Sequence, residues 1–494
     1  MVKSDIISKI FNNETFNNSI QILDHKDPTN NINNNNEQFN YVTPIIQTTF
    51  KINCIPPNGI LINYPGNYVF SQNIIWKPIN DSIAITINCN SIVLDLCNYN
   101  LICNKNNGMN NLNLIGISVL GVKDIPLSNI SIMNGKIINT SYYGMKIYYC
   151  DGLNLNNIII CNLKYCNLQL RNLTPTGIFI QLSNNLIVSN CKIKNIDVKT
   201  DSSAGIQLIE CTNGIIKNCN VKNLKNRDGA VQGYSYIGCE NITTLNCASC
   251  NFRSYFIDNI LTTGHTVLGF CPILCSNLLY EKCKATNMTG CCDDVHGISV
   301  FLNIYVQLIN FTVNHVIGGK TKSKSCAKST GIEIYGLFVK VINCNVKNIF
   351  AIRPQDKQCS GFASAGYDIQ FTNCFSSNVK VLNSHNDSKW SDIKYGIGVG
   401  YGWAPDPRPI FKIILANNIT YKNCTSTDCQ VGFDTFNHNN SLWYKIKIIN
   451  CNKSILHNPN EIRILSCDEC SECNPSIITE LKNICLNNKF KCIK

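Results

Sequence analysis

Two segments near the C-terminal end of this sequence combine aromatic, charged and amide side chains, as a sugar-binding site does. Aromatic rings pack against pyranose rings, while charged and amide groups hydrogen-bond to hydroxyls. In segments 401–409 and 436–443, the predicted binding residues are Tyr401, Trp403, Arg408 and Trp443. If the site were catalytic, its acid and base groups would be Asp434, His438 and Asp406. The alternative is that Trp403 and Trp443 only seal the end of the fold.

A second polar cluster lies in the segment Cys291-Cys292-Asp293-Asp294-Val295-His296-Gly297. Its candidate binding residues are Asp293, Asp294 and His296. Carboxylate and imidazole groups this close together could hydrogen-bond a ligand or exchange protons with it. The alternative is an ordinary polar turn, in which acidic residues and glycine are frequent.

Cysteines at the C-terminus have a spacing that could hold a metal. Cys467, Cys470 and Cys473 are separated by two residues each, and Cys485 follows. This spacing suits a tetrahedral Zn²⁺ site. Because no second, separate C-x-x-C pair follows, a disulfide-linked cap and free thiols are alternatives. No other cofactor is predicted.

The elements that position these groups must be repetitive, because the chain repeats itself. A motif in which Asn follows Cys by four residues recurs, and Cys191, Cys219 and Cys247 are 28 residues apart (219 − 191 = 247 − 219 = 28). Further copies contain Cys283, Cys344 and Cys374, and weaker copies place Ile130, Ile158, Phe311, Cys424 and Cys451 at the cysteine position. A glycine precedes this position by 14 residues in several copies, as from Gly177 to Cys191.

Each repeat contains two or three short segments with a period of two and no long segment with a period of 3.6. A recurring apolar column can be buried only if each strand stacks in parallel on its counterpart, about 4.8 Å away. The sequence therefore predicts an all-β protein, a single-stranded right-handed parallel β-helix solenoid of about 11–13 coils. We predict a low-complexity Asn-rich N-terminal tail (1–45), the β-helix with its N-terminal cap (46–460), and a Cys-rich C-terminal cap or tail (461–494).

Two columns of this β-helix have structural explanations. The cysteines are expected to point inward as a stack of small apolar side chains. The asparagines are expected to form a ladder of amide hydrogen bonds at a turn. That ladder would contain Asn134, Asn162, Asn195, Asn223, Asn251, Asn287, Asn348 and Asn378. A disulfide between neighbouring coils is an open alternative that the fold does not require.

The aromatic segments near the C-terminus are predicted to be insertions in neighbouring coils. Gly396 precedes Cys424 by 28 residues and Gly432 precedes Cys451 by 19, where other coils have 14. Both insertions would follow the same strand in consecutive coils and would emerge side by side. Loops on a rigid scaffold are where binding sites concentrate.

The residue two positions after each glycine is expected to point outward. This column is Ser118, Lys146, Phe179, Gln207, Ser235, Cys271, Ser299, Glu333, Ala363, Gly398 and Asp434. Its two acidic members, Glu333 and Asp434, would be three coils apart, roughly 14 Å. A glycosidase usually needs two carboxyl groups about 5 to 9.5 Å apart. The expected carboxylate pair is therefore missing from this column.

Composition and charge narrow the class of protein further. The hydrophobic fraction of 44% is sufficient for a large core. The net charge of +12 (43 − 31) comes from scattered Lys and Arg, so nucleic acid is not a predicted partner. No apolar run approaches the ~20 residues of a membrane span. The N-terminus contains no readable secretory signal, so we expect the chain to remain in the cytoplasm that makes it.

The N-terminal region resembles pectin-lyase-like β-helix proteins. Pro65-Gly66-Asn67-Tyr68 corresponds to the turn that leads into their first coils, and the segment Ser91 to Leu96 resembles the strand that follows. The resemblance covers residues 52–456 and implies a fold, not a reaction. Asp-Asp and His-Gly within 293–297 are similar to elements that polygalacturonases have on separate coils. Gly432 to His438 is loosely similar to the FDPH-type element of alginate epimerases, at a different spacing.

The Asn-rich, Ile-rich and Cys-rich style of the chain also resembles β-helix proteins of mimivirus-like giant viruses. That resemblance implies a virion component made in host cytoplasm, with glycans or other virion proteins as partners. Analogy with viral fibres implies a homotrimer. We therefore predict a non-catalytic structural or glycan-contacting β-helix protein. The alternative is a polysaccharide-active enzyme, either a lyase, an epimerase or a hydrolase.

Overall fold

The computed structural model of the chain describes residues 48–105, 112–166, 174–254, 266–290, 294–319, 328–352, 359–382, 398–403, 416–434, 438–439, 441–455 and 462–466. These residues belong to one compact unit, Ile46–Lys494. The predicted tail at 1–45 lies outside them. The described residues contain no helix, and therefore none that is long and apolar enough to cross a membrane.

All regular structure in the described residues is β-strand. The 39 strands are β1 (Thr49–Ile52), β2 (Ile60–Ile62), β3 (Gly66–Phe70), β4 (Ile74–Trp76), β5 (Ser82–Ile87), β6 (Ile92–Asp95), β7 (Asn100–Cys103), β8 (Leu114–Leu120), β9 (Leu127–Ile138), β10 (Tyr143–Tyr148), β11 (Cys150–Cys161), β12 (Lys164–Cys166), β13 (Thr176–Gln181), β14 (Asn184–Ser189), β15 (Lys192–Lys199), β16 (Ser202–Ile209), β17 (Thr212–Lys217), β18 (Asn220–Asn226), β19 (Ala230–Ile237), β20 (Glu240–Leu245), β21 (Ala248–Ser254), β22 (Val267–Ile273), β23 (Ser276–Glu281), β24 (Lys284–Thr289), β25 (Val295–Ile309), β26 (Thr312–Gly318), β27 (Ser329–Ile342), β28 (Asn345–Ile352), β29 (Cys359–Thr372), β30 (Phe375–Leu382), β31 (Gly398–Trp403), β32 (Ala416–Lys422), β33 (Thr425–Thr427), β34 (Val431–Phe433), β35 (His438–Asn439), β36 (Ser441–Tyr444), β37 (Lys447–Ile449), β38 (Lys453–Ile455) and β39 (Ile462–Ser466).

The strands form three parallel ladders, in which each strand pairs with its counterpart one coil further on. Ladder A contains β2, β5, β8, β10, β13, β16, β19, β22, the first parts of β25, β27 and β29, then β31, β34 and β38. Ladder B contains β1, β3, β6, the first parts of β9 and β11, β14, β17, β20, β23, the second parts of β25, β27 and β29, then β32, β35, β36 and β39. Ladder C contains β4, β7, the second parts of β9 and β11, β12, β15, β18, β21, β24, β26, β28, β30, β33 and β37. This architecture confirms the predicted parallel β-helix.

The cysteine column lies in register along the interior. Asn220, the residue after Cys219, pairs with Lys192 below and Ala248 above, so Cys191, Cys219 and Cys247 stack in consecutive coils. All three side chains are buried, and no described cysteine is in a disulfide. The thiols pack as small apolar groups and donate weak hydrogen bonds to main-chain carbonyls, as from Cys247 Sγ to Ile216 O (3.5 Å).

Two weaker members of the predicted column were assigned wrongly. Ile130 pairs with Leu153 in ladder B, and Gly135 occupies the position below Ile158. Cys451 stacks on Cys429, whereas Ile446 stacks on Cys424. Ile130 matched the column by its 14-residue interval from Gly116, and Cys451 matched it by residue type, but both residues lie in neighbouring columns.

The glycine column of ladder A is required by the close approach of successive coils. A Cβ atom on Gly205 would lie 2.3 Å from Val221 Cγ1 and 2.7 Å from Gly233 O. Near the C-terminus the column residue is Gly400, because Val399 pairs with Val431 and Tyr401 with Phe433. The assignment of Gly396 to the glycine column is therefore wrong. In the outward column, two residues later, Gly402 occupies the position predicted for Gly398.

The predicted asparagine ladder is present, and the described residues contain two others. The predicted ladder begins at Asn162, and Asn195, Asn223 and Asn251 each donate an amide hydrogen bond to the member one coil below, over 3.0–3.1 Å. Asn134 belongs instead to a second ladder, in which its amide oxygen accepts a hydrogen bond from Asn157. Later members of this second ladder are Asn190, Asn218 and Asn246. A third contains Asn213, Asn241 and Asn277. Ladder members such as Asn223 have a left-handed φ near +55°, which asparagine tolerates better than most residues.

Strand pairing continues beyond the predicted end of the β-helix at residue 460. Strand β39 pairs with β36 in parallel, from Ser441↔Ile462 to Tyr444↔Ser466. The predicted C-terminal cap therefore begins with residues that still follow ladder B.

Candidate functional site

Two of the aromatic residues predicted to contact a sugar lie inside the β-helix. The Tyr401 side chain is 1% exposed, and its ring stacks between Phe362 (4.8 Å) and Phe433 (4.5 Å). Its hydroxyl donates to Cys374 O over 2.7 Å. Trp443 is 3% exposed and packs against Phe433 at 5.0 Å. The prediction that Tyr401 and Trp443 contact an external ligand is therefore wrong, because both side chains pack in the interior. Strand β39 pairs with the strand that contains Trp443, so this residue does not form the end of the fold as the alternative had it.

The predicted pair of adjacent insertions also reduces to one. Gly432 precedes the true column residue, Ile446, by 14 residues (446 − 432), which is the standard interval. The remaining insertion, 404–415, contains Asp406 and Arg408 and lies outside the described residues. The strand positions of Trp403 and His438 are described, but their side chains are not. Asp434 is buried, and its main-chain N–H donates to Tyr401 O (2.8 Å).

The second predicted cluster becomes part of a buried ion network on the outer side of ladder A. Asp293 lies outside the described residues, and the Asp294 carboxylate accepts the main-chain N–H of Lys328 (3.1 Å). His296 Nδ1 is 3.3 Å from Glu333 Oε2, and the Lys328 ammonium contacts Glu333 Oε1. His296, Lys328 and Glu333 are all buried. Sequence reasoning singled out His296 but missed Lys328, whose only signal is its position before a strand.

The positive charges of this network stabilise its buried carboxylate. Burial raises the pKa of Glu333, but the positive charges of His296 and Lys328 outweigh that effect and lower it to about 2. The Ser299 hydroxyl also donates to this carboxylate over 2.9 Å. Burial and the nearby Glu333 charge raise the pKa of Cys271 to about 12, so its thiol is a poor nucleophile at neutral pH. A closed ion network that stabilises the fold accounts for these contacts.

An open groove of about 510 Å³ lies along ladder C and extends over four coils. Its lining residues are Asn162, Lys164, Asn195, Ile196, Asp197, Asn223, Leu224, Lys225, Asn251 and Arg253. They form two rows along the helix axis: the amide ladder, and a charged row two residues further along each strand. The charged row is set by pairing, with Lys164 opposite Asp197, Asp197 opposite Lys225, and Lys225 opposite Arg253.

The strands that form this groove are strongly basic. Strands β12, β15, β18 and β21 contain seven Lys or Arg (1 + 3 + 2 + 1) and one acidic residue, Asp197. The Asp197 carboxylate accepts two hydrogen bonds from Arg227, at 3.2 and 3.1 Å, and lies 3.8 Å from Lys225. The remaining charge of the groove is therefore positive.

Sequence reasoning missed this groove because its cations are far apart in the chain. Lys225 and Arg253 are 28 residues apart (253 − 225), so no local run of basic residues indicates that they lie side by side. A usable signal was present, since the residue two positions after each ladder asparagine is Lys164, Asp197, Lys225 and Arg253 in turn. Coil stacking converts scattered charges into a continuous row.

A third cluster surrounds Lys146 on the outer side of ladder A. The ammonium lies 4.9 Å from the ring centroid of Tyr148 and 5.7 Å from that of Tyr143. Phe179, one coil further on, lies 5.1 Å from Tyr143 and 5.6 Å from Tyr148. Burial lowers the pKa of Lys146. No carboxylate among the described residues forms an ion pair with this ammonium.

The described residues contain no group of three or more His, Cys, Asp or Glu that could hold a metal ion. The predicted zinc ligands Cys467, Cys470, Cys473 and Cys485 lie outside those residues. A second buried cysteine column, Cys211, Cys239 and Cys275, precedes the first by eight residues (219 − 211). Its thiols help to satisfy main-chain groups, as where Cys239 N donates to Cys275 Sγ over 3.3 Å.

Comparisons with known proteins give structural neighbours only. No protein-family model matches the chain, and no curated protein matches it in sequence. Tailspike protein 3 of bacteriophage CBA120 is 8% identical with a TM-score of 0.39, over 82% of this chain and 56% of its own. PfbA, a surface adhesin of Streptococcus pneumoniae, is 11% identical with a TM-score of 0.34, over 81% and 85%. The catalytic domain of a GH87 α-1,3-glucanase is 11% identical with a TM-score of 0.35, over 83% and 63%. At such values the likeness carries no argument about ligand or reaction.

Proposed function

We propose that this protein is a non-catalytic β-helix rod that binds an acidic polysaccharide lengthwise in the groove of ladder C. The observation that carries the proposal is the alignment of an amide row with a predominantly cationic row over four consecutive coils. Amides suit sugar hydroxyls, and cations suit carboxylates or sulfates.

The geometry of the groove favours an extended ligand. Successive coils repeat the same two rows at the strand spacing of about 4.8 Å. A linear polyanion can therefore make similar contacts with coil after coil, and each weak contact adds to the total affinity.

The side chains of the groove favour a glycan over single-stranded nucleic acid. Proteins that bind single strands stack bases on exposed aromatic rings. The aromatic residues of β12, β15, β18 and β21 are Tyr165 and Phe252, and both are buried. These strands therefore offer charge and amides to a ligand but no stacking surface.

The test is affinity electrophoresis in gels that contain polygalacturonate, alginate or neutral dextran. We expect retardation by the two uronate polymers and none by dextran, decreasing as salt is added. The double variant Lys225→Gln/Arg253→Gln should bind roughly tenfold more weakly, because two exposed ion pairs contribute about 1 kcal/mol or somewhat more together.

Lys217→Gln is the matched control, since Lys217 is an exposed cation on ladder B and should not affect binding. Unchanged retardation of the double variant, or equal retardation by dextran, would contradict the proposal. Tighter binding to single-stranded DNA than to either uronate polymer would replace the glycan by nucleic acid.

Catalysis is not part of this proposal. Within the described part of the outward column of ladder A, Glu333 is held by Lys328 and His296, and Asp434 lies three coils away. Release of unsaturated sugar ends from a uronate polymer, followed by ultraviolet absorbance, would overturn the non-catalytic assignment and favour a lyase.

The location in a virion and the homotrimer stay predictions that come from resemblance. Mass spectrometry of purified particles tests the first, and light scattering of the purified protein tests the second.

A further inference from the structure

The Lys146 ammonium is half-buried among aromatic rings, where a negatively charged partner would stabilise it further. Lys146 has Tyr143 and Tyr148 as ring neighbours and Phe179 in the next coil, but no described carboxylate or hydrogen-bond acceptor contacts its Nζ. Ring faces stabilise a cation less than a carboxylate does at the same depth. An anionic group that enters this cluster would complete it.

The cluster also contains the apolar surface that a sugar ring needs. Tyr142 and Tyr148 are half-buried, so each presents part of its ring to solvent. The Tyr143 hydroxyl donates to the Tyr142 hydroxyl over 3.1 Å, which holds the two rings side by side. Cation, aromatic surface and hydroxyl groups are thus gathered within two neighbouring strands.

The cluster lies beside one end of the groove. Tyr142 contacts the Tyr165 ring at a centroid distance of 5.8 Å, and Lys164, the residue before Tyr165, lines the groove. The two features therefore lie on adjacent faces of the same coils.

We propose that Tyr142, Lys146 and Tyr148 form a binding subsite for a single carboxylated pyranose unit. The carboxylate pairs with the Lys146 ammonium, and the carbon–hydrogen face of the sugar packs on the exposed part of Tyr148 or Tyr142. This subsite rests on the proposed function, since it would receive one unit of the same class of acidic glycan. It does not depend on the groove, because a monosaccharide or short oligosaccharide would occupy it alone.

The test is calorimetric titration of the full chain with a galacturonate trisaccharide, and with its neutral galactose counterpart as the reference ligand. We expect the acidic trisaccharide to bind more tightly than the neutral one. Lys146→Gln should weaken binding of the acidic ligand roughly tenfold and leave the neutral ligand unchanged, whereas Lys146→Arg should retain most of the affinity. Tyr148→Leu should weaken both ligands.

Nuclear magnetic resonance of the Lys146 side chain supplies a readout that a purely structural lysine would not give. Binding of the carboxylate should raise the Lys146 pKa, because an opposite charge favours the charged form. Lys217→Gln is again the control, and thermal unfolding verifies that each variant is folded. Equal affinity of wild type and Lys146→Gln for the acidic trisaccharide would overturn the subsite.

The two proposals fail separately. Polymer retardation that survives in Lys146→Gln and is lost in Lys225→Gln/Arg253→Gln, with no trisaccharide binding, would leave the groove and remove the subsite. Trisaccharide binding that depends on Lys146, without polymer retardation, would leave the subsite and remove the groove.

Discussion

Among single residues, Glu333 is a buried carboxylate whose charge the fold stabilises. Its side chain is buried, and its pKa is lowered from 4.5 to about 2 because His296 and Lys328 stabilise the carboxylate more than burial destabilises it. A carboxyl group with a lowered pKa in the folded state stabilises the protein above its unfolded pKa. That contribution is lost as the pH falls through the folded value.

We therefore expect the free energy of unfolding to decrease by about 3 kcal/mol between pH 5 and pH 2 through this residue, at ~1.4 kcal/mol per pKa unit. Urea unfolding at several pH values measures the effect. Glu333→Gln should remove this part of the pH dependence. It should also destabilise the protein at pH 7 by about 3 kcal/mol or more, because Lys328 would be buried without its carboxylate.

Glu281→Gln is the matched control, since Glu281 pairs with Lys282 at the surface and should change stability by less than about 1 kcal/mol. The double variant Lys328→Met/Glu333→Gln should recover part of the loss. A Glu333→Gln protein that is as stable as wild type at pH 7 would contradict the ion network.

The column cysteines make a second prediction at the scale of the residue. Cys54 and Cys97 are exposed, whereas Cys191, Cys219 and Cys247 are buried. Brief alkylation of the native protein should modify the first two and spare the last three, and alkylation in concentrated urea should modify all five. Mass spectrometry of peptides gives the result. Rapid native labelling of the column, or its recovery as disulfides, would contradict a closed thiol core.

At the scale of the strand, the asparagine ladders determine where each strand bends. Asn223 has φ of 59°, donates to Asn195 over 3.0 Å and accepts from Asn251 over 3.1 Å. Asparagine suits this position for two reasons: it tolerates the left-handed backbone conformation, and its side chain forms the amide hydrogen bonds. The two contributions can be separated, because glycine keeps the first and removes the second.

Asn223→Ala should lower the free energy of unfolding by about 2 kcal/mol, from roughly 1 kcal/mol of left-handed strain and roughly 1 kcal/mol for the lost hydrogen bonds. Asn223→Gly should cost about 1 kcal/mol less than Asn223→Ala. Urea unfolding of both variants provides the comparison. Equal stabilities of the two would mean that the left-handed strain of alanine is no larger than the extra entropy that glycine loses on folding.

Strand pairing also explains which parts of the candidate site could be predicted from the sequence. The interval between Cys191, Cys219 and Cys247 was sufficient to predict parallel stacking, because only stacking buries such a column. Near the C-terminus the same reasoning failed, since Cys451 matched by residue type while Ile446 matched by interval. That choice created an insertion that does not exist and placed Trp443 on a surface loop instead of in the core.

At the scale of the whole molecule, the fold creates properties that no segment of sequence contains. Lys164, Lys225 and Arg253 are far apart along the chain, and ladder C brings them into one row. The groove could have been predicted only after the coil register was known to the residue. The same holds for the contact between Glu333 and His296, which belong to neighbouring coils.

The coils from Gly177 to Cys247 superpose without an insertion between their strands, each adding one 28-residue period (205 − 177 = 233 − 205 = 28). Such a period is a unit of length as well as a unit of folding. Gene duplication or loss of one period would lengthen or shorten the protein by a step of about 4.8 Å and leave every remaining side chain with the same kind of neighbour. Selection could therefore adjust the length of the β-helix in discrete steps of one coil.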